Sequence, residues 1–104
     1  MDSGDPVMFK TVPGFLEAAE KAQKEALAIL EAKAPVYGLD SWQSLGERSL
    51  FCEIHQKYSR VKSVIWDGVK PDSSEALDDT LLDMANYAIM MLIYLRRKEG
   101  RTDK

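Results

Sequence analysis

The run from Glu75 to Leu95 constrains the chain more than any other stretch. It holds neither Gly nor Pro, and Leu77, Leu81, Met84, Ala88, Met91 and Leu95 recur at three- and four-residue steps, the spacing of one helix face. From Met84 onward Ala85, Ile89, Met90, Ile93 and Tyr94 make the other faces apolar too, which predicts a helix enclosed on several sides. Against this, Asp79, Asp83 and Asn86 stand at i, i+4 and i+7, roughly opposite Leu77, Leu81 and Ala88. Two carboxylates so spaced repel by roughly a few tenths of a kcal/mol on an exposed helix. Enclosed, the cost grows to about several kcal/mol unless a cation or a proton compensates. Glu75, Asp78 and Asp79 suit the positive end of the helix dipole, whereas Asp83 and Asn86 lie too far in for that account. They mark either a polar site or a solvated face.

The remaining chemistry is bounded by composition. With 104 residues, 45% hydrophobic and 30% charged, the chain is one ordinary globular domain with a modest core. A net charge of −3 gives no general attraction to duplex nucleic acid. No apolar run reaches the roughly 18–20 residues of a membrane span, and the N-terminus has no basic-then-apolar signal segment. The single Cys52 excludes an internal disulfide and fits a reducing cytoplasm. One His and one Cys leave only a hard, carboxylate-bound cation as a plausible metal.

In order, residues 1–12 read as an N-terminal arm, 13–98 as one all-α domain and 99–104 as a C-terminal tail. Pro13-Gly14 punctuates, and a first helix is expected from about Phe15 to Ala34, its core face being Phe15, Ala19, Ala22, Ala26, Ile29, Leu30 and Lys33. Pro35 is expected to end it. Val36 to Gly46 reads as a long connection in which Tyr37 and Trp42 either plug the bundle end or stack on a base. The second helix is expected over about Glu47–Trp66, with a core stripe of Leu50/Phe51, Ile54, Tyr58, Val61 and Ile65. Glu53, Lys57 and Arg60 form a charged stripe beside it, either a surface ion-pair ladder or the edge of a site. Asp67-Gly68 closes the helix, and Ser73 or Ser74 is the expected cap of the third. These three helices predict an antiparallel unit. The third is apolar on more faces than two partners cover, so homo-oligomerisation is expected to complete a four-helix-type bundle through Met84, Ala88, Met91, Leu92 and Leu95.

If the charged stripes face each other, Glu53, Asp79 and Asp83 converge on a cation such as Mg²⁺ or Mn²⁺, with Asn86 as a neutral oxygen donor. Lys57 and Arg60 then lie where a triphosphate needs cations. The alternative is that Lys57 and Arg60 neutralise Asp79 and Asp83 in a salt-bridge network.

The run Tyr37-Gly38, Trp42, Gly46, Phe51-x-Glu53-Ile54-x-x-Lys57-x-x-Arg60, followed by Asp79-Thr80-Leu81-Leu82-Asp83-Met84-Ala85-Asn86-Tyr87-Ala88, resembles the nucleotide modification associated domain 1 family. Those small domains, common in phage genomes, are similar to the MazG/dUTPase-like all-α nucleoside triphosphate pyrophosphohydrolases. The resemblance implies Mg²⁺-dependent cleavage of a (deoxy)nucleoside triphosphate to monophosphate and pyrophosphate in a homodimer or homotetramer. On the residue reading above, Glu53, Lys57 and Asp83 are the expected catalytic residues, and Tyr37, Trp42, Lys57, Arg60 and Asn86 the expected nucleotide contacts. The wider superfamily carries Glu-x-x-Glu and then Glu-x-x-Asp; here Leu50 and Gln56 flank Glu53, and Thr80 stands three residues before Asp83. A non-catalytic nucleotide binder, or a helical module that blocks a host protein, is the competing expectation.

Overall fold

The computed structural model describes residues 8–70 and 77–100. Among them all regular structure is helical: α1 (Val12–Tyr37), α2 (Leu39–Val61), a π-helical turn (Lys62–Trp66) and α3 (Leu77–Lys98). The expected caps Ser73 and Ser74 lie outside the described residues. No described helix is long and apolar enough to cross a membrane.

α1 begins earlier than expected, because Pro13 and Gly14 belong to its first turn. Thr11 Oγ1 accepts from the Gly14 amide at 3.0 Å. Pro13 falls where a helical N–H would have no partner in any case. Pro35 does not end the helix either. It sits in the last turn, where its missing N–H removes a single ladder bond, and the chain stays helical to Tyr37. Gly38, at φ 76°, then closes the helix, its amide reaching the Ala34 carbonyl at 3.1 Å.

The expected connection from Val36 to Gly46 is therefore not a loop. α2 starts at Leu39, and Gly46 interrupts it with φ 74° and ψ −165°. That combination is almost exclusive to glycine. Gly46 is buried against α3, and a Cβ there would stand 3.1 Å from the Tyr94 hydroxyl. At its other end α2 widens into the π-turn, where the Asp67 amide reaches the Lys62 carbonyl at 3.0 Å.

α2 and α3 run antiparallel and share the largest interface. Gly46 faces Tyr94, Lys57 faces Asp83 and Arg60 faces Thr80, so each step along α2 is matched by a step back along α3. α1 meets α3 over its second half, where the Asn86 Nδ2 donates to the Ala26 carbonyl at 2.9 Å. Acidic Asp78 and Asp79 open α3, and Arg96, Arg97 and Lys98 close it, each suited to the adjacent end of the dipole.

Among the described residues the core is small. Leu50 (2% exposed), Met90 and Ala26 are its buried apolar members there, and Thr80 and Asn86 are buried with them. The inner face of α3 is thus the one bearing Thr80, Asp83, Asn86 and Met90, while Leu81 and Ala88 of the expected core stripe are exposed, as is Leu92 of the expected interface. Phe51 and Tyr58 on α2 and Ile65 in the π-turn also point outward, and the half-buried side of α2 carries Glu53, Ile54, Lys57 and Arg60. Phe15 on α1 is exposed as well. A single chain leaves 8194 Å² accessible, against about 5,900 Å² expected for a compact chain of this mass. Its radius of gyration is 16.6 Å, against about 13 Å for that length.

Candidate functional site

The polar residues that face one another come from all three helices. On α3, Thr80 and Asp83 sit three residues apart and point the same way. On α2, Lys57 and Arg60 have the same spacing and run the opposite direction, so each meets its counterpart. Lys57 Nζ lies 3.8 Å from Asp83 Oδ2, and Arg60 Nε donates to Thr80 Oγ1 at 2.8 Å. Lys33, near the end of α1, reaches Asp83 Oδ1 at 3.3 Å. One carboxylate therefore holds an ammonium group on each oxygen, and a buried hydroxyl takes the guanidinium one turn away.

Half-exposure separates this cluster from its neighbours. The side chains of Lys33, Lys57 and Asp83 are 44%, 28% and 24% exposed, open to a solute yet partly shielded from salt. Beside them Leu30, Lys33, Asp83, Asn86, Tyr87 and Met90 enclose a recess of about 10 Å³, room for one water. Leu30 and Asn86 also border a larger open groove of about 770 Å³ between α1 and α3, lined by Ala26, Leu27, Leu81 and Ile89 among others.

The other expected site residues are distributed differently. Glu53 is half-buried on the inner side of α2 and forms no ion pair with Lys57 among the described residues. Asp79 is exposed, because Thr80 takes the inward position in the turn before Asp83. Asn86 is buried and its Nδ2 is engaged by the Ala26 carbonyl, so this donor ties α3 to α1. The side chains of Tyr37 and Trp42 lie outside the described residues. No group of three or more His, Cys, Asp or Glu side chains that could hold a metal ion occurs among the described residues.

Two members of the cluster were not expected from the sequence. Lys33 was assigned to the core face of the first helix, and a lysine at the end of an apolar stripe was its one visible signal. Thr80 carried none, since a single hydroxyl in a helix is most often incidental.

A family model described as nucleotide modification associated domain 1 matches residues 33–95. The chain belongs to this family. The matched segment begins at Lys33 and takes in Lys57, Arg60, Thr80, Asp83 and Asn86, so the family's portion of the chain contains the whole cluster. Most of α1 precedes it. No curated protein and no solved structure matches the chain.

Proposed function

We propose that this chain binds a (deoxy)nucleoside triphosphate, holding the phosphates with Lys33, Lys57 and Arg60. The observation that carries the reading is the meeting of these three cations from two helices around Asp83 and Thr80, inside the segment that belongs to the family. The family's description ties it to nucleotide modification, and a half-exposed cluster of ammonium and guanidinium groups is what a polyphosphate recognises. Lys57 and Arg60 supply charge-assisted hydrogen bonds, and Lys33 closes the cluster from α1.

The catalytic form of this reading, pyrophosphohydrolysis of the MazG/dUTPase kind, rests on the sequence resemblance. In it Glu53 or Asp83 accepts a proton from the attacking water, and Lys57 and Arg60 stabilise charge on the phosphoryl oxygens. Mg²⁺ or Mn²⁺ is the expected cofactor, and the donor set tests it poorly suited within one chain. Such ions take a near-octahedral set of oxygens. Here both oxygens of Asp83 face ammonium groups, Asp79 is exposed, and no third carboxylate joins them among the described residues. A phage-borne setting belongs to the same resemblance, and a cytoplasmic one to the single Cys52. That misfit favours one alternative, a nucleotide binder without catalysis.

A second copy of the chain is the proposed partner. Exposed Leu27, Leu81, Ile89 and Leu92 supply an apolar face for it.

The test is a calorimetric screen of ribo- and deoxyribonucleoside triphosphates, with and without Mg²⁺ or Mn²⁺, alongside an assay for released pyrophosphate. Binding of at least one nucleotide is expected, and pyrophosphate release would assign the catalytic form. Absence of binding for every nucleotide under every condition overturns the proposal and leaves a helical interaction module. Light scattering at tens of micromolar is expected to give at least twice 11.7 kDa; a monomer mass removes the second copy.

A further inference from the structure

The Lys33–Asp83–Lys57 bridge also indicates how the cluster is kept together before a ligand arrives. We infer that Asp83 is an internal stand-in for a ligand phosphate: its carboxylate occupies the seat between Lys33 and Lys57, and the polyphosphate of a nucleotide displaces it without needing a metal ion. The inference rests on the nucleotide-binding reading above and adds the exchange that precedes binding.

Three observations support it. The first is shape. Asp83 offers one oxygen to each of two lysines that come from different helices. A terminal phosphate presents the same edge, two charged oxygens on one centre, with a third oxygen left over. The second is looseness. The two separations are 3.3 and 3.8 Å, longer than the roughly 2.7–2.9 Å of a well-formed charge-assisted bond. The same chain makes a much tighter pair elsewhere, Lys98 to Glu47 at 2.6 Å. The carboxylate therefore holds the lysines in place and yields readily. The third is direction. One turn from Asp83, about 4.5 Å along the axis, lies the Arg60–Thr80 pair. A phosphate chain seated between the lysines runs on toward a guanidinium.

The same geometry sets a metal and a phosphate against each other at this point. A divalent cation on either oxygen of Asp83 would face an ammonium group already there, and like charges in a partly shielded place repel. A phosphate meets the opposite situation. It gains both ammonium groups, and Asp83 swings toward solvent, to which it is already partly exposed.

The experiment uses the full chain, inorganic tripolyphosphate and the nucleotide found by the screen, titrated calorimetrically in EDTA and again in excess Mg²⁺. Expected in EDTA are binding by the wild type, about tenfold weaker binding by Lys33→Met, and about tenfold tighter binding by Asp83→Asn, which keeps the shape and removes the competing charge; a decade corresponds to about 1.4 kcal/mol. Should Asp83→Asn fail to fold, the wild type still decides. The ¹³C resonance of the Asp83 carboxyl is expected to shift on adding tripolyphosphate in EDTA, and a resonance that stays fixed at saturation overturns the exchange. Asp83→Asn binding equally or more weakly in EDTA also overturns it. So does binding that appears only with Mg²⁺ and vanishes in Asp83→Asn, which would make Asp83 a metal ligand. Nucleotide binding without tripolyphosphate binding has the same effect. In these cases the nucleotide reading survives. Only the failure of every nucleotide and of tripolyphosphate, with and without Mg²⁺, removes both.

Discussion

Two of the charged junctions between α2 and α3 are of opposite character. At the end of the pair where α3 finishes, Lys98 reaches Glu47 at 2.6 Å, with side chains 55% and 34% exposed. Toward the other end Asp83 is shared by Lys33 and Lys57 at 3.3 and 3.8 Å, with Arg60 on the buried Thr80 hydroxyl beside it. The tighter contact is the simpler one, a pairing of two long side chains, one from each helix. The looser contact draws on all three helices and on a buried hydroxyl. Short distance here marks a clasp, whereas the looser contact marks the place where all three helices converge.

Gly46 sets the close approach of α2 to α3 at Tyr94, beside the clasp, and breaking it is expected to have the largest effect. Gly46→Ala puts a Cβ 3.1 Å from the Tyr94 hydroxyl and forces a non-glycine residue to φ 74°. Backbone strain of this kind costs about 1–3 kcal/mol, and each kcal/mol lowers the melting temperature of a domain this size by roughly 4–8 °C. Adding Tyr94→Phe removes the close oxygen and leaves the backbone conformation, so only part of the loss is expected back. A melt showing Gly46→Ala within a degree of wild type would mean that the kink relaxes without cost.

Next come the two cations on the inner side of α2. Lys57→Ala and Arg60→Ala are each expected to weaken nucleoside triphosphate binding by about ten- to a hundredfold. That matches roughly 1.5–3 kcal/mol for a charge-assisted hydrogen bond in a partly dry site. Stability separates them. Lys57 is loosely held, so its loss should scarcely move the melting temperature. Arg60 donates to a hydroxyl only 2% exposed, and its removal should lower stability by about 1–3 kcal/mol. Equal melting temperatures for the two variants would show that the Arg60–Thr80 bond contributes nothing to the fold. Unchanged nucleotide affinity in both would take the site away from α2.

How far the chain could be read beforehand follows from what each residue depends on. The extent of α3 was legible, because a run without breakers at helical spacing needs no partner to be recognised. Which of its sides faces inward was not. From Met84 onward α3 is apolar all round, so the stripe through Leu81 and Ala88 looked as buriable as the side that is packed, Thr80 through Met90. Gly38 and Gly46 looked like the ends of a loop. They are two single-residue breaks around a short helical piece that contains no breaker of its own. Lys57, Arg60 and Asp83 were legible as charges beside an apolar face. That Lys33 joins them depends on where α1 crosses α3, a tertiary fact with no local trace. Glu53 and Asp79 were grouped with Asp83 by spacing alone, and spacing along one helix cannot show that a neighbouring residue, Thr80, turns inward first.

The smallest effect is expected at the clasp, and pH gives its sign. Lys98 has its pKa raised above the ordinary lysine value of 10.5, chiefly by the hydrogen bond to Glu47 and then by the charge of that carboxylate. A group whose folded pKa is raised contributes stability that is fully present below the unfolded pKa and is lost as pH rises through the folded value. Between pH 6 and 9 the clasp is therefore constant, and it is lost in strong alkali. Glu47→Gln removes the charge and keeps the shape. Its denaturation midpoint at pH 7 should fall only slightly below wild type, since an exposed ion pair is offset by side-chain entropy and screened by salt. The gap should narrow in 1 M salt and close above the folded pKa of Lys98. An NMR titration supplies the direct check: the Lys98 pKa should drop toward 10.5 in Glu47→Gln. A loss as large as that from Gly46→Ala, or a gap that persists in alkali, would show that the 2.6 Å contact holds the helices together and that the contrast between the two junctions fails.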